Sequence, residues 1–247
     1  MDDIYDSGNW VQLAENKPGV KILARIPSGN NDTGTAYFKY PSSPDVGPIA
    51  ANEFIASKLA EKLGLPINKT LFKEFESVKG VLVNNTPGEA NIWRQYPFKK
   101  DIERTLHNAE RLSRVVVFDV FILNTDRNPD NFVYTRLNKG KYEFYLIDHA
   151  HSLHGPSQQA LDYNAFNFSS MVQIEEFKKI FEKGFDHFRP HIEDIQNIED
   201  PEIVDIVNSV PSDYLTDAQK NTVKDLLINR KGMLYNKFET FCSSPTW

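Results

Sequence analysis

The feature that most constrains the fold is a change of pattern near residue 90. Before it, short runs with alternating or dense apolar residues are separated by turn residues, which is typical of β-strands. These runs are VKILARI (20–26), TAYFKY (35–40), LFKEFES (71–77) and GVLVN (80–84). Between the second and third runs lies one helical pattern, AANEFIASKLAEKLG, which Gly64 and Pro66 bring to an end.

After residue 100 the apolar residues recur at helical spacing. The segment 101–124 is predicted to be a long helix broken near Asn108, and a further helix is predicted over 173–188. The last helix is predicted to begin at Thr216, because Gln219 three residues later completes a capping box.

The helical part contains one small sheet. The runs FVY and YEFYLI predict a hairpin around residues 138–140. The sequence therefore predicts an α+β fold with two lobes, a β-rich N-lobe with one helix over 1–90 and a mostly helical C-lobe over 91–247. Clefts between such lobes are common ligand sites.

Composition excludes several classes of function. The chain has 28 Lys and Arg against 34 Asp and Glu, a net charge of −6, which argues against general nucleic-acid binding. Its longest apolar stretch, VVVFDVFIL, is too short to cross a bilayer, and the acidic start MDDIYDSGNW is unlike a signal peptide. A single cysteine, Cys242, fits a reducing compartment. The sequence predicts a cytoplasmic protein that does not bind membranes.

The clearest chemical pattern follows the apolar helix, in NTDRNPDNFVY and the strand YEFYLIDHAHS. Asp126 and Asn131 are five residues apart, and Asp148 follows at the end of a strand. Protein kinases place a catalytic Asp, a metal-binding Asn and a second metal-binding Asp in this order. We therefore predict Asp126 as the base, with Asn131 and Asp148 as ligands of Mg²⁺ in an ATP site. The alternative is that these residues only form Asx turns.

An upstream segment predicts the phosphate-binding part of the site. SGNNDTGTAYFKY indicates a glycine-containing loop, with Ser28 and Gly34 as candidate cofactor-binding residues, and a strand ending in Lys39. In a kinase-like lobe this lysine contacts the phosphates and an acidic residue of the next helix holds it. Glu53 is the candidate, although its place off the main apolar stripe also fits a solvated surface residue.

Two charged residues adjoin the catalytic segment. Asp119, inside the apolar helix, is predicted to be a structural carboxylate that bonds to the catalytic loop. Arg127 is a candidate catalytic residue that orients phosphate or a neighbouring carboxylate, and a surface arginine is the alternative.

These motifs resemble those of the HipA-like kinases and, more distantly, the phosphatidylinositol 3- and 4-kinases. ANEFIASKLAEKLGLPI is similar to that family's helix, FDVFILNTDRNPDNFVY to its catalytic loop and LIDHAHSL to its metal-binding strand end. The resemblance covers residues 20–240 and implies an ATP- and Mg²⁺-dependent kinase. It implies a protein Ser or Thr, or a small hydroxyl compound, as acceptor.

The sequence also departs from these families. His149 stands where common kinases have Phe, and no Gly follows it. Two alternatives therefore stay open. One is a metal-dependent phosphohydrolase that uses Asp148 with His149, His151 and His154, and the other is a pseudokinase that acts as a binding module.

Overall fold

The first part of the chain forms an antiparallel sheet with one helix behind it. The computed structural model describes residues 4–26, 34–42, 48–86, 89–138, 140–153, 168, 171 and 174–243. The strands of the first sheet are β1 (Trp10–Lys17), β2 (Val20–Arg25), β3 (Thr35–Lys39), β4 (Thr70–Phe75) and β5 (Val78–Asn84), in the order β1-β2-β3-β5-β4. Helix α1 (Ile49–Lys62) connects β3 to β4. Four of these strands match the predicted runs, whereas β1 was not predicted.

The second sheet lies within the helical part of the chain. Its strands are β6 (Ala90–Ile92), β7 (Phe132–Asn138) and β8 (Lys141–Leu146), all antiparallel. The predicted hairpin between β7 and β8 is confirmed, with Phe132 opposite Leu146. Because β6 pairs with β7, the chain leaves the first sheet before residue 90. The domain boundary at this residue stays a prediction.

The described helices of the remaining chain are α2 (Ile102–Thr105), α3 (Leu112–Phe121), α4 (Glu175–Phe181), α5 (Arg189–Gln196), α6 (Asp200–Asn208) and α7 (Asp217–Ser243). The predicted start of the last helix is confirmed, since Gln219 N donates to Thr216 Oγ1 and Thr216 N donates to Gln219 Oε1. An α+β fold with a sheet-rich first part and a helical second part is therefore confirmed. No helix of the described residues is long and apolar enough to cross a membrane.

Two predicted helices are interrupted for identifiable reasons. The segment 101–124 breaks where expected, because the side chain of Asn108 bonds to both the N–H and the C=O of Phe144. The segment 173–188 was predicted as one helix, which is wrong. Helix α4 ends at Phe181, and Gly184 shortly after it has a φ of 83°, a left-handed conformation that does not continue a helix.

Helix α1 is buried on almost every side. Phe54 stacks on Phe72 of the sheet with ring centroids 4.5 Å apart. The opposite side of the helix packs against α6, where Lys62 pairs with Glu202 at 2.5 Å. A helix enclosed in this way holds its side chains at fixed positions relative to both parts of the protein.

Gly80 of β5 allows close packing beside Lys39. A Cβ at Gly80 would meet the carbonyl oxygen of Lys39 and would lie 2.7 Å from the Phe38 ring. We expect Gly80→Ala to lower the free energy of unfolding by about 1–3 kcal/mol through overpacking. Gly232→Ala is the matched control. Gly232 lies inside α7 with open space around it, so the change should stabilise the chain by about 0.5–1 kcal/mol.

Urea unfolding of the two variants measures both effects. Equal midpoint changes in Gly80→Ala and Gly232→Ala would show that β3 and β5 do not need the close approach.

Candidate active site

Lys39 contacts residues from both parts of the chain. It ends β3, its side chain is 11% exposed, and its ammonium forms an ion pair with Glu53 of α1. The same ammonium lies 3.0 Å from Oδ1 of Asp148, the second residue after β8. The structure therefore brings together three predicted site residues from distant parts of the sequence.

The charges in this cluster support one another. Burial disfavours the charged form of Lys39, but Glu53 and Asp148 outweigh it and raise the pKa of the lysine. Burial likewise disfavours the charged form of Glu53, while Lys39 and His149 outweigh it and lower the pKa of the carboxyl. Both groups are therefore charged at neutral pH, and each compensates the burial of the other.

The interpretation of Glu53 as a solvated surface residue is wrong. Glu53 is 2% exposed, although it lies off the apolar stripe of α1. The helical wheel fails here because polar parts of the catalytic segment cover that side of the helix. Asn52 donates to the backbone oxygen of Ala150 at 2.8 Å, and His149 lies against Glu53.

Asp126 and Asn131 face each other across the catalytic loop. The Asn131 amide donates to the backbone oxygen of Asp126 at 2.7 Å and to its Oδ2 at 3.1 Å. Asp126 is exposed, so a molecule from solvent can reach its carboxylate. Asx-turn bonding does occur in this loop, but it is made by Asn124 and Asn128, which accept from the N–H groups of Asp126 and Asp130.

The β7–β8 hairpin brings Asn131 and Asp148 to the same end of the small sheet. Asn131 directly precedes β7, and its carbonyl accepts from Ile147 N at 3.3 Å. Asp148 is the next residue and has a φ of 62°, a left-handed conformation that Asp tolerates better than most residues. The backbone therefore turns sharply at the carboxylate.

These residues fit a magnesium ion. The side-chain nitrogen of Asn131 donates to Asp126, so the side-chain oxygen of Asn131 is left to bind a metal ion. Asp148 supplies a carboxylate that is 23% exposed. Mg²⁺ prefers such oxygen ligands and is commonly held by one or two of them together with phosphates.

Arg127 is an interior residue, so its interpretation as a surface arginine is wrong. Its side chain is fully buried and binds Asp119 through two parallel bonds, Nε to Oδ2 at 2.7 Å and a terminal nitrogen to Oδ1 at 3.0 Å. It also donates to the backbone oxygens of Asn131 and Ile147. Arg127 orients a carboxylate, one of the two roles predicted, and its geometry favours positioning over direct contact with phosphate. The predicted bond from Asp119 to the catalytic loop is present.

The turn between β1 and β2 is a part of the site that sequence reasoning missed. Val20 pairs with Lys39, so this turn lies at the same end of the sheet as the lysine. Lys17, the last residue of β1 before this turn, places its ammonium 3.9 Å from Oδ2 of Asp148 and remains 62% exposed. Gly19 has a φ of 82° and accepts from Tyr40 N, which closes the turn against β3.

The predicted glycine loop does not approach this cluster within the described residues. Gly34 directly precedes β3, so it lies roughly 16 Å along the strand from Lys39. It is exposed, and its cofactor-binding role stays a prediction. Ser28 lies outside the described residues. Lys-Pro-Gly at 17–19 is a turn signal, but β1 before it has too few buried residues to be recognised as a strand.

The histidines beside Asp148 do not form a metal centre in the described part of the chain. His149 is 1% exposed and packs edge-on to Phe118, as expected for a histidine packed near the catalytic loop. No group of three or more His, Cys, Asp or Glu side chains among the described residues is placed to hold a metal ion. His154 lies outside these residues.

Two solved structures are similar to this chain over nearly its whole length. The Helicobacter pylori proinflammatory kinase CtkA has a TM-score of 0.65 and 15% identity, with 99% of each chain covered. HipA of Shewanella oneidensis MR-1, in a toxin–antitoxin complex with HipB and operator DNA, has a TM-score of 0.55 and 15% identity, with 98% of this chain and 69% of that chain covered. The sequence matches no protein-family model and no curated protein.

At this level of identity the likeness shows the fold. The chain has the kinase-like fold of CtkA and HipA, as the resemblance to HipA-like kinases predicts. The cluster around Lys39 lies where the first sheet, α1 and the catalytic loop of this fold come together.

We expect the buried Asp119–Arg127 pair to be essential for folding. Asp119→Ala should lower the free energy of unfolding by about 3–5 kcal/mol, because it leaves a buried guanidinium without its carboxylate. Asp130→Ala is the matched control, since Asp130 forms a two-bond pair with Arg94 at the surface, where the side chains are 49% and 64% exposed. That change should cost less than about 1 kcal/mol.

Urea denaturation of Asp119→Ala and Asp130→Ala gives this comparison. A similar small loss in both would contradict the structural role of the buried pair.

Proposed function

We propose that this chain is a kinase that uses ATP and Mg²⁺ to phosphorylate a hydroxyl group, with a protein Ser or Thr as acceptor. The observation that carries the proposal is the contact of one lysine with two carboxylates from separate elements, Glu53 of α1 and Asp148 after β8. Kinases require a Lys–Glu pair and a metal-binding Asp in place together. The kinase-like fold supports the same proposal, and the Ser or Thr acceptor rests on the family resemblance alone.

The charge and exposure of each residue indicate its role in the proposed reaction. Lys39 and Lys17 would contact the phosphate oxygens of ATP, while Glu53 keeps the Lys39 ammonium in place. Asn131 and Asp148 would hold Mg²⁺, which neutralises charge that develops on the phosphates. The exposed carboxylate of Asp126 would accept the proton of the acceptor hydroxyl, and the Asn131 amide orients this carboxylate.

A phosphohydrolase is less well supported. Such an enzyme needs several imidazole or carboxylate ligands around a transition metal. One nitrogen of His149 lies 2.9 Å from the Arg127 guanidinium, a position that a metal ion would have to share with a positive charge. A pseudokinase has the same fold and differs only in turnover, so kinetic measurements distinguish it.

Nucleotide binding is the first property to measure. With Mg²⁺-ATP at a hundredfold above its dissociation constant, selective binding adds about 2.7 kcal/mol of stability. For a chain of this size we expect the melting temperature to rise by roughly 5–10 °C. Asp148→Asn should abolish the Mg²⁺-dependent part of the rise. Asp130→Asn, at an exposed carboxylate before β7 that pairs with Arg94, should keep it.

Each outcome of this thermal shift assay separates the candidate functions. Stabilisation by Mn²⁺ or Zn²⁺ alone, without ATP, would favour the phosphohydrolase. Absence of any shift would count against a nucleotide site.

Asp126→Asn tests the assignment of the base. The variant should fold and bind Mg²⁺-ATP like the wild type, because the carboxylate contacts only the Asn131 amide among the described residues. Phosphoryl transfer should fall about 10²–10⁴-fold, the usual cost of removing a general base. Transfer of labelled phosphate from ATP, including autophosphorylation, measures the rate. Turnover at the wild-type rate would show that Asp126 is not the base.

A further inference from the structure

His149 occupies an unusual place between the catalytic loop and α1. It directly follows the candidate metal ligand Asp148, yet its side chain is 1% exposed and points into the protein interior. Its two ring nitrogens contact charged residues from different elements. Nε2 lies 2.9 Å from a terminal nitrogen of Arg127, and Nδ1 lies 3.8 Å from Oε2 of Glu53.

The contact with Arg127 fixes the proton of the imidazole. A guanidinium has only donors, so Nε2 of His149 must accept and cannot carry a proton. The proton of the neutral ring is therefore on Nδ1, which is the nitrogen that faces Glu53.

Glu53 thus has a different partner at each carboxylate oxygen. Oε1 pairs with Lys39, and Oε2 lies 3.8 Å from Nδ1 of His149. The neighbouring residue Asn52 binds the backbone oxygen of Ala150, so α1 is tied to the turn after β8 at two successive residues. On the other side of the ring, Arg127 is already fixed by Asp119.

We propose that His149 is a positioning residue which, in its Nδ1-protonated form, couples the Asp119–Arg127 pair of the catalytic loop to Glu53 of α1. It acts through Glu53 on Lys39, and so fixes the position of the ammonium that would contact the phosphates. The effect on ATP rests on the proposed kinase function, whereas the position of the proton does not. The histidine that stands in place of Phe in this motif therefore contacts two charged residues through its ring nitrogens, which a phenyl ring lacks.

Two amide substitutions separate the two contacts of the ring. His149→Asn places an amide nitrogen near the Nδ1 position and keeps a donor for Glu53. His149→Gln places an amide near the Nε2 position, which keeps an acceptor for Arg127 but removes the donor. Arg127 retains Asp119 and two backbone oxygens in either variant, so both should fold. His107→Gln, at an exposed histidine of the C-lobe, is the control for the loss of an imidazole.

Steady-state kinetics with ATP as the varied substrate tests the coupling. We expect His149→Gln to raise KM for ATP about tenfold or more with kcat within about threefold, and His149→Asn and His107→Gln to remain within about threefold of the wild type in both constants. An equal rise of KM in the Asn and Gln variants, or no rise in either, would overturn the role of the Nδ1 donor.

Nitrogen-15 NMR of histidine-labelled full-length protein tests the proton position without reference to activity. The His149 signals, assigned by their loss in His149→Gln, should show Nδ1 protonated and Nε2 unprotonated. Protonation of Nε2 would overturn the proposal. If the wild type binds no Mg²⁺-ATP and shows no turnover while Nδ1 carries the proton, the kinase function fails and the coupling of His149 to Glu53 stands.

Discussion

The candidate site depends on the buried pair between Asp119 and Arg127. Two charges removed from water are tolerated only when nearly every donor and acceptor has a partner. Arg127 meets this condition by binding a carboxylate, the backbone oxygens before β7 and after β8, and the His149 ring. In doing so it joins the catalytic loop to the end of the hairpin. The proposed base and both candidate metal ligands are therefore carried by segments that this pair holds together.

The second requirement is a fixed position for α1. Glu53 can hold Lys39 only if its helix does not move relative to the sheet, and α1 is enclosed between the sheet and α6. The loop after α6 adds a further contact to this sheet, where the Tyr214 ring lies tilted against the Phe72 ring with centroids 4.3 Å apart. The second part of the chain thus supports the strand and the helix that carry the Lys–Glu pair.

Local patterns in the sequence were reliable where the structure depends on near neighbours. The strand carrying Lys39, the hairpin between β7 and β8 and the cap at Thr216 each follow from alternation or from residues a few positions apart. Other features depend on distant contacts. The strand β1 has mostly exposed side chains, so it lacks the apolar alternation that identifies strands, and Lys17 was missed with it. Residue type likewise could not show that Gly34 and Lys39 lie at opposite ends of β3.

The sequence by itself determined the class of fold and the order of the chemical groups, because strand periodicity, helix periodicity and the spacing of Asp126, Asn131 and Asp148 are local properties. Only the tertiary structure decided which charged groups lose their water. Arg127 and Glu53 are residue types usually found at the surface, and they are buried here because partners from distant segments satisfy them. Burial of a charge depends on the whole set of neighbours, and no single stretch of sequence contains that set.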